Sequence, residues 1–210
     1  MKNTDIRHLP LYSVGEVSKY TRIPYSSLRL WTDVESPLLM LAQPNSASPY
    51  SFINLVEAHV LSALRKIHKV PMHKIKRAIK YLSQTCRTKH PLAECDLETN
   101  NYDIFFRNLG IPISASEGGQ FAFPQILDLY LKRIERDRKN IPIRFFPLTY
   151  DDCPKSVVMD PAIAFGRPVI NGTRISTTII FDRYSGGESL VVLARDYDLD
   201  LPIVEEALRC

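Results

Sequence analysis

The sequence predicts a mainly α-helical, α+β protein made of more than one compact module, and three observations carry that expectation. The chain has 210 residues, longer than the usual single domain of about 100–150. Its 45% apolar and 24% charged residues match ordinary globular usage and can fill separate small cores. The charge is divided as well: residues 1–90 hold 14 Lys/Arg against 5 Asp/Glu, or +9, and residues 91–210 carry −5, giving the net +4. A basic first part suits a polyanion, which the acidic remainder would repel, so the two parts are expected to bind different things. The expected modules are residues 1–84, 85–150 and 151–210.

The first module opens with Ser13 and Glu16 at the spacing of a capping box, which satisfies free amides at a helix start. A helix is therefore expected from Val14 to Tyr20. Thr21-Arg22-Ile23-Pro24 breaks it, and Tyr25 to Trp31 reads as a second short helix with Leu28 and Trp31 inward and Ser26, Ser27 and Arg29 outside. Leu38 to Leu41 and the Pro/Ser/Asn-rich stretch to Pro49 read as a loop flanked by short extended pieces, where a wing would sit. Val56, Val60, Leu64 and Ile67 recur at helical spacing from Phe52 to His68. After Pro71, Ile75, Ala78, Ile79 and Leu82 form the inner face of another helix, with Lys74, Lys76, Arg77 and Lys80 on its remaining surface.

Tyr12-Ser-Val-Gly-Glu-Val, Pro24-Tyr-Ser-Ser-Leu-Arg-Leu-Trp31 and Tyr50 before the third helix resemble the MerR-type winged helix-turn-helix over residues 11–83. The resemblance implies that the second helix enters the major groove and the wing touches backbone, with Tyr25, Ser26, Ser27 and Arg29 at the DNA. Lys19, Arg22, Lys74 and Arg77 are the further candidates for phosphate contact, since clustered cations supply affinity and an Arg is the commonest reader of guanine. The long apolar-heptad helix by which that family dimerises does not follow residue 84.

Residues 91–150 read as a small mixed α/β connector or dimerisation region. Ile104-Phe105-Phe106 and Phe121-Ala122-Phe123 look like short strands. Pro124 to about Lys139 looks like an amphipathic helix through Leu127, Leu131 and Ile134, and Ile141 to Leu148 like a further strand.

The last module opens with Val157-Val158-Met159. Asn171-Gly172 between apolar runs is a strong hairpin signal, in which both turn residues would take positive φ. Three short helices are expected after it: Thr178–Tyr184, Ser189–Tyr197 and Asp200 or Leu201 to the end, a homeodomain-like, helix-turn-helix shape. Residues 188–209 carry −4, so that shape is expected to bind protein rather than DNA. The run from Asp160 through Gly166-Arg-Pro168 and Gly172-Thr-Arg174 to Ile175, with Ser189 to Tyr197, resembles a short domain family of unknown function over about residues 155–210. Its members look like VapB-type antitoxins, which accompany PIN-like ribonuclease toxins. The chain ends at Cys210 inside or just after the last expected helix, which leaves open a native tail beyond it.

A PIN-like nuclease gathers carboxylates around Mg²⁺, so Arg167 or Arg174 could bind that cluster bidentately and displace the metal or its waters. Arg195 and Glu205 are the candidates for toxin contact on the helices. The plainer alternative is that Arg167 and Arg174 pair with Asp160 or Asp182. Cys86, His90 and Cys95 are three potential ligands, short of the fourth that tetrahedral zinc needs. Asp196, Asp198 and Asp200 lack the glycine and terminal glutamate of a calcium loop and read as helix caps. The four cysteines form no CxxC pair and are too sparse for a disulfide scaffold. No apolar run approaches about 18 residues and no apolar signal core opens the chain, so a cytoplasmic protein without membrane contact is expected.

GxxxxGK[ST], GxSxG and HExxH are lacking, no carboxylate tetrad stands out, and no cofactor or resident metal is expected, which favours a binding protein over an enzyme. The leading expectation is an antitoxin of a type II toxin–antitoxin system that inhibits a PIN-like ribonuclease and represses its own operon on operator DNA, as a homodimer or a hetero-oligomer with the toxin. A MerR-type regulator that responds to a small molecule or metal is the alternative, and a hydrolase with an appended DNA-binding domain the third.

Overall fold

The computed structural model describes residues 5–33, 35, 37–66, 71–95, 97, 127, 129–147 and 154–210. It is mainly helical with small two-stranded sheets, and it divides into two compact units, Met1–Pro142 and Ile143–Cys210. No helix among the described residues is long and apolar enough to cross a membrane.

In the first unit a 3-10 turn, Ile6–His8, leads to α1 (Val14–Thr21) and α2 (Tyr25–Trp31). The expected capping box is present: Ser13 Oγ accepts from the Glu16 N–H, and the Glu16 carboxylate accepts from the Ser13 N–H at 2.8 Å. Arg22 ends α1 in the left-handed conformation, φ 55°, and Pro24 caps α2. Tyr12 and Tyr50 form an antiparallel bridge that closes the intervening chain. Within it, the N–H groups of Leu38 and Leu39 donate to the Trp31 carbonyl and the Gln43 N–H donates to Pro49.

Helix α3 (Phe52–Lys66) is the centre of this unit. Every residue from Phe52 to Leu64 is buried, so the helix is enclosed all round rather than amphipathic. Burial of each large apolar side chain contributes about 1.5–3 kcal/mol. Its enclosed polar groups are satisfied: Asn54 with Ser51 and the Met40 carbonyl, Ser62 with the His59 carbonyl, and His59 Nε2 with the Tyr130 carbonyl at 3.1 Å. Ile67 and His68, expected to continue the helix, lie outside the described residues. Helix α4 (Met72–Cys86) buries Ile75, Ala78 and Leu82 and leaves Ile79 half-buried. The short α5 (Pro91–Glu94) packs on both α3 and α4.

Two expectations about this region are corrected. Cys86 and Cys95 are joined by a disulfide, although their spacing gave no sign of one. The folded chain brings their Cα atoms to 6.0 Å, a tertiary proximity that spacing alone does not encode. The helix expected over Pro124–Lys139 ends at Leu131. Ile134–Arg136 is strand β1 and pairs with β2 (Pro142–Phe145). Asn140 at φ 62° turns the chain, and the Asp137 carboxylate accepts from the Lys139 and Ile141 N–H groups. That turn chemistry overrides the good helix propensity of the charged run. The strands expected at residues 104–106 and 121–123 lie outside the described residues.

In the second unit β3 (Val157–Val158) pairs antiparallel with β4 (Val169–Ile170), and Phe145 forms a bridge to Met159. The Asn171-Gly172 turn forms, with the Thr173 N–H donating to the Ile170 carbonyl, but only Gly172 is left-handed, φ 80°. This corrects the expected pair of positive φ angles: a type II turn needs φ > 0 at its third residue alone. Asn171 instead ties its amide and backbone N–H groups to the Lys155 and Ser156 carbonyls. Helices α6 (Thr177–Ser185), α7 (Leu190–Tyr197) and α8 (Leu201–Arg209) follow. Ile180, Leu193, Val204 and Ala207 pack on Val157 and Ile170. Phe146, Val158 and Val169 form a second small cluster.

Candidate nucleic-acid and partner interfaces

The α1–α2 pair presents most of the residues expected at DNA. Arg22 is held at the α1 terminus by its own backbone geometry, and Lys19, Tyr25, Ser26 and Arg29 are exposed, while Ser27 is half-buried. Leu28 and Trp31, packed inward, fix the rotation of α2 and so aim this face outward. The Arg29 guanidinium lies 5.2 Å from the centre of the Tyr25 ring, a cation–π contact that orders a long side chain on the surface. Leu30, 64% exposed, stands beside them and was not among the expected contact residues. Lys74, half-buried, and Arg77, exposed, are carried by α4, a different element that packs on α5.

The three ligands considered for a metal do not converge. Cys86 and Cys95 are spent on each other, and His90 Nδ1 meets the Glu57 carboxylate at 2.9 Å. Among the described residues no group of His, Cys, Asp and Glu could hold a metal ion. The Glu57–His90 pair is the polar centre that sequence reasoning missed. Burial pushes the Glu57 carboxyl up; burial alone would pull His90 down, and the Glu57 carboxylate outweighs it to hold the imidazole above its ordinary range. His8 and Glu94 approach at 3.4 Å beside this pair, Thr88 donates to Glu94, and the His8 and His90 rings are 5.5 Å apart. The cluster joins α3, α5 and the amino-terminal turn.

In the second unit neither Asp160 nor Asp182, the carboxylates expected as partners of Arg174, pairs with it. Asp160 accepts from Arg144 Nε at 3.2 Å, and Arg174 makes no hydrogen bond or ion pair with the described residues. Arg174 lines a cleft of about 350 Å³ with Arg144, Asn171 and Thr173, backed by Val158 and Ile163. Arg144 is therefore a second cation of the same cleft, hidden in the sequence because its place depends on the β2–β3 fold. Arg167 is exposed on the turn that precedes β4. Arg195 is exposed on α7, 3.9 Å from the neighbouring Asp196, and Glu205 is half-buried on α8. Hence Arg174 is set with Arg144, whereas Arg195 and Glu205 sit on the helical side of the unit.

The acidic helices are partly neutralised from within. Arg183 binds both Glu188 and Asp196, which holds the Glu188 carboxyl below its usual range, and Arg209 binds the buried Glu206. Asp198 is the left-handed cap of α7 and Asp200 the cap of α8.

Residues 157–209 match the model of a protein family of unknown function, DUF433. The chain is 26% identical to the candidate antitoxin VapB45 of Mycobacterium tuberculosis over 95% of its length and 93% of the relative's. It is 23% identical to the uncharacterised protein Rv2308 of the same organism, over 99% of this chain and 92% of that one. The crystal structure of Rv2018, also from M. tuberculosis, superposes with a TM-score of 0.78 at 26% identity, covering 96% of this chain and 98% of the other.

Proposed function

We propose that this chain is an antitoxin of a toxin–antitoxin pair, that its second unit binds and inhibits a PIN-like ribonuclease, and that its first unit binds the operator of its own operon as a repressor. The observation that carries the reading is the end-to-end relationship to a candidate antitoxin, with nearly the whole of both chains aligned. The cleft supplies a means of inhibition. Arg174 has no counter-ion among the described residues, and a guanidinium so placed is available for bidentate bonds to a carboxylate cluster from outside. The exposed face of α2, with its ordered Arg29, supports the operator half of the reading. One short helix reads only a half-site, so the repressor acts as at least a dimer, assembled through residues 85–150 or with the toxin.

The test is ribonuclease activity of the protein encoded by the adjoining gene, titrated with the full chain. The wild-type chain is expected to abolish cleavage at equimolar amounts. Arg174→Glu, which sets a like charge against the nuclease carboxylates, should lose inhibition, and Arg174→Lys should keep part of it. A neighbour that is no nuclease, or one left active by the wild-type chain, would overturn the reading.

A further inference from the structure

The loop from Asp160 to Pro168 is rigid, strained and ends in an exposed ring. The Asp160 carboxylate accepts from the Ala162 N–H at 2.9 Å and from Arg144. The Ile163 N–H donates to Asp160, the Gly166 N–H to Ile163 and the Arg167 N–H to Ala164. Pro161, Gly166 and Pro168 are buried, so both ends and the middle of the loop are anchored. Three successive residues are left-handed: Ala164 at φ 47°, Phe165 at 53° and Gly166 at 74°. An L residue with a bulky side chain is disfavoured there by crowding of its Cβ against the backbone, and Gly or Asn would make the same turn with less strain. Phe165 nevertheless occupies it, with 79% of its surface exposed.

Strain and an exposed ring are two costs, and the fold of the second unit returns nothing for either. A mobile loop could relax them; this one is held by three backbone hydrogen bonds and by the bond from the Ala162 N–H to the Asp160 carboxylate, so the ring is presented in one place. Such an outlier points to function when the surrounding structure enforces it. The neighbourhood names the kind of surface that covers the ring. Ile163, two residues before Phe165, lines the cleft that holds Arg174 and Arg144, and Arg167 follows two residues after it. An aromatic knob beside guanidinium groups fits an apolar pocket bordered by carboxylates, and aromatic and Arg side chains are the types that dominate binding energy at interface centres. A second copy of this chain is a poorer match, because three carboxylates in and beside its acidic helices, Glu188, Asp196 and Glu206, are already engaged by Arg183 and Arg209.

We propose that Phe165 is the apolar anchor by which the second unit seats on its nuclease, inserting next to the carboxylates that Arg174 faces. This rests on the nuclease-binding reading above and adds to it a residue and a mode of contact. The glycine variant separates binding from folding, because glycine removes the ring and relieves the left-handed strain that a bulky side chain keeps.

The experiment uses the full chain, wild type and Phe165→Gly, titrated by calorimetry against the purified product of the adjoining gene, with melting temperature and light scattering measured in parallel. Phe165→Gly is expected to weaken association roughly 30-fold or more while the melting temperature stays level or rises. Phe165→Leu should retain part of the affinity. Unchanged affinity of Phe165→Gly for a nuclease that the wild type binds would overturn the anchor and leave the antitoxin reading standing. A wild-type chain that does not bind the nuclease would overturn both. Loss of self-association in Phe165→Gly, with nuclease binding intact, would also overturn it by making a second copy the occupant.

Discussion

Glu57 is an acid enclosed on the central helix of a basic unit, and its chemistry governs how that unit responds to pH. Its carboxylate is 1% exposed and meets His90 at 2.9 Å. Both groups titrate above their ordinary values of 4.5 and 6.5. For each, a raised folded pKa means that the stabilising contribution is complete below the unfolded value and is lost as pH rises through the folded one. Stability of the first unit should therefore fall as pH rises from the ordinary imidazole value through the raised value of the folded His90, where the imidazole gives up its proton and leaves Glu57 enclosed without a cation. His90→Ala removes the partner outright and should cost about 3–5 kcal/mol, as for other broken buried pairs. Glu57→Gln should cost less and flatten the pH profile. Thermal melts of the three proteins from pH 5 to 9 check this; a wild-type profile no steeper than that of Glu57→Gln would contradict it. This pair was not legible in the sequence because its members are 33 residues apart and neither belongs to a local motif. The Ser13–Glu16 box was legible because both partners lie within one turn of chain.

At the scale of elements, α1 and α2 follow from local signals, since a cap, a proline break and two inward residues suffice to fix them. The hairpin of β1 and β2 does not. Ile134-Glu135-Arg136 continues an apolar helical spacing from Leu127 and Leu131, and only the left-handed Asn140 and the Asp137 side chain reveal the turn. The ion pair of Arg7 with Asp137 adds a partner from the far end of the chain. The surface of α2 carries the operator-binding proposal, and the positions on it make that proposal specific. Arg29→Ala should cost about 1–3 kcal/mol in operator affinity if the side chain reads a base, and should reduce discrimination against random duplex. Lys19→Ala should weaken operator and random DNA alike and lower the salt slope by about 1 if the side chain contacts phosphate. Gel-shift titrations of both variants at several salt concentrations distinguish the two roles, and equal effects on both duplexes would make Arg29 a backbone contact as well.

Across the whole molecule, the charge asymmetry seen in the sequence persists between the two units of the fold, although the sign changes near residue 90 and the fold divides after Pro142. The first unit holds 20 Lys/Arg against 13 Asp/Glu and the second 7 against 10, so a polyanion is attracted to one and repelled by the other. The place where the units separate was less legible than the charge. The last module is expected from residue 151, whereas the compact unit begins at Ile143. The difference has an energetic consequence. Phe146 packs on Val158 and Val169, and Phe145 is fully buried and exchanges backbone hydrogen bonds with Met159. Arg144 pairs with Asp160 at the base of the Phe165 loop. Each buried Phe contributes about 1.5–3 kcal/mol, a large share of the stability available to a domain of this size. A fragment of residues 143–210 is therefore expected to melt cooperatively and to inhibit the nuclease alone. A fragment of residues 150–210 should melt without a sharp transition, or at a markedly lower temperature, and inhibit weakly, since it lacks both rings and the cation that steadies the loop. Equal melting curves for the two fragments would show that Phe145 and Phe146 belong energetically to the first unit.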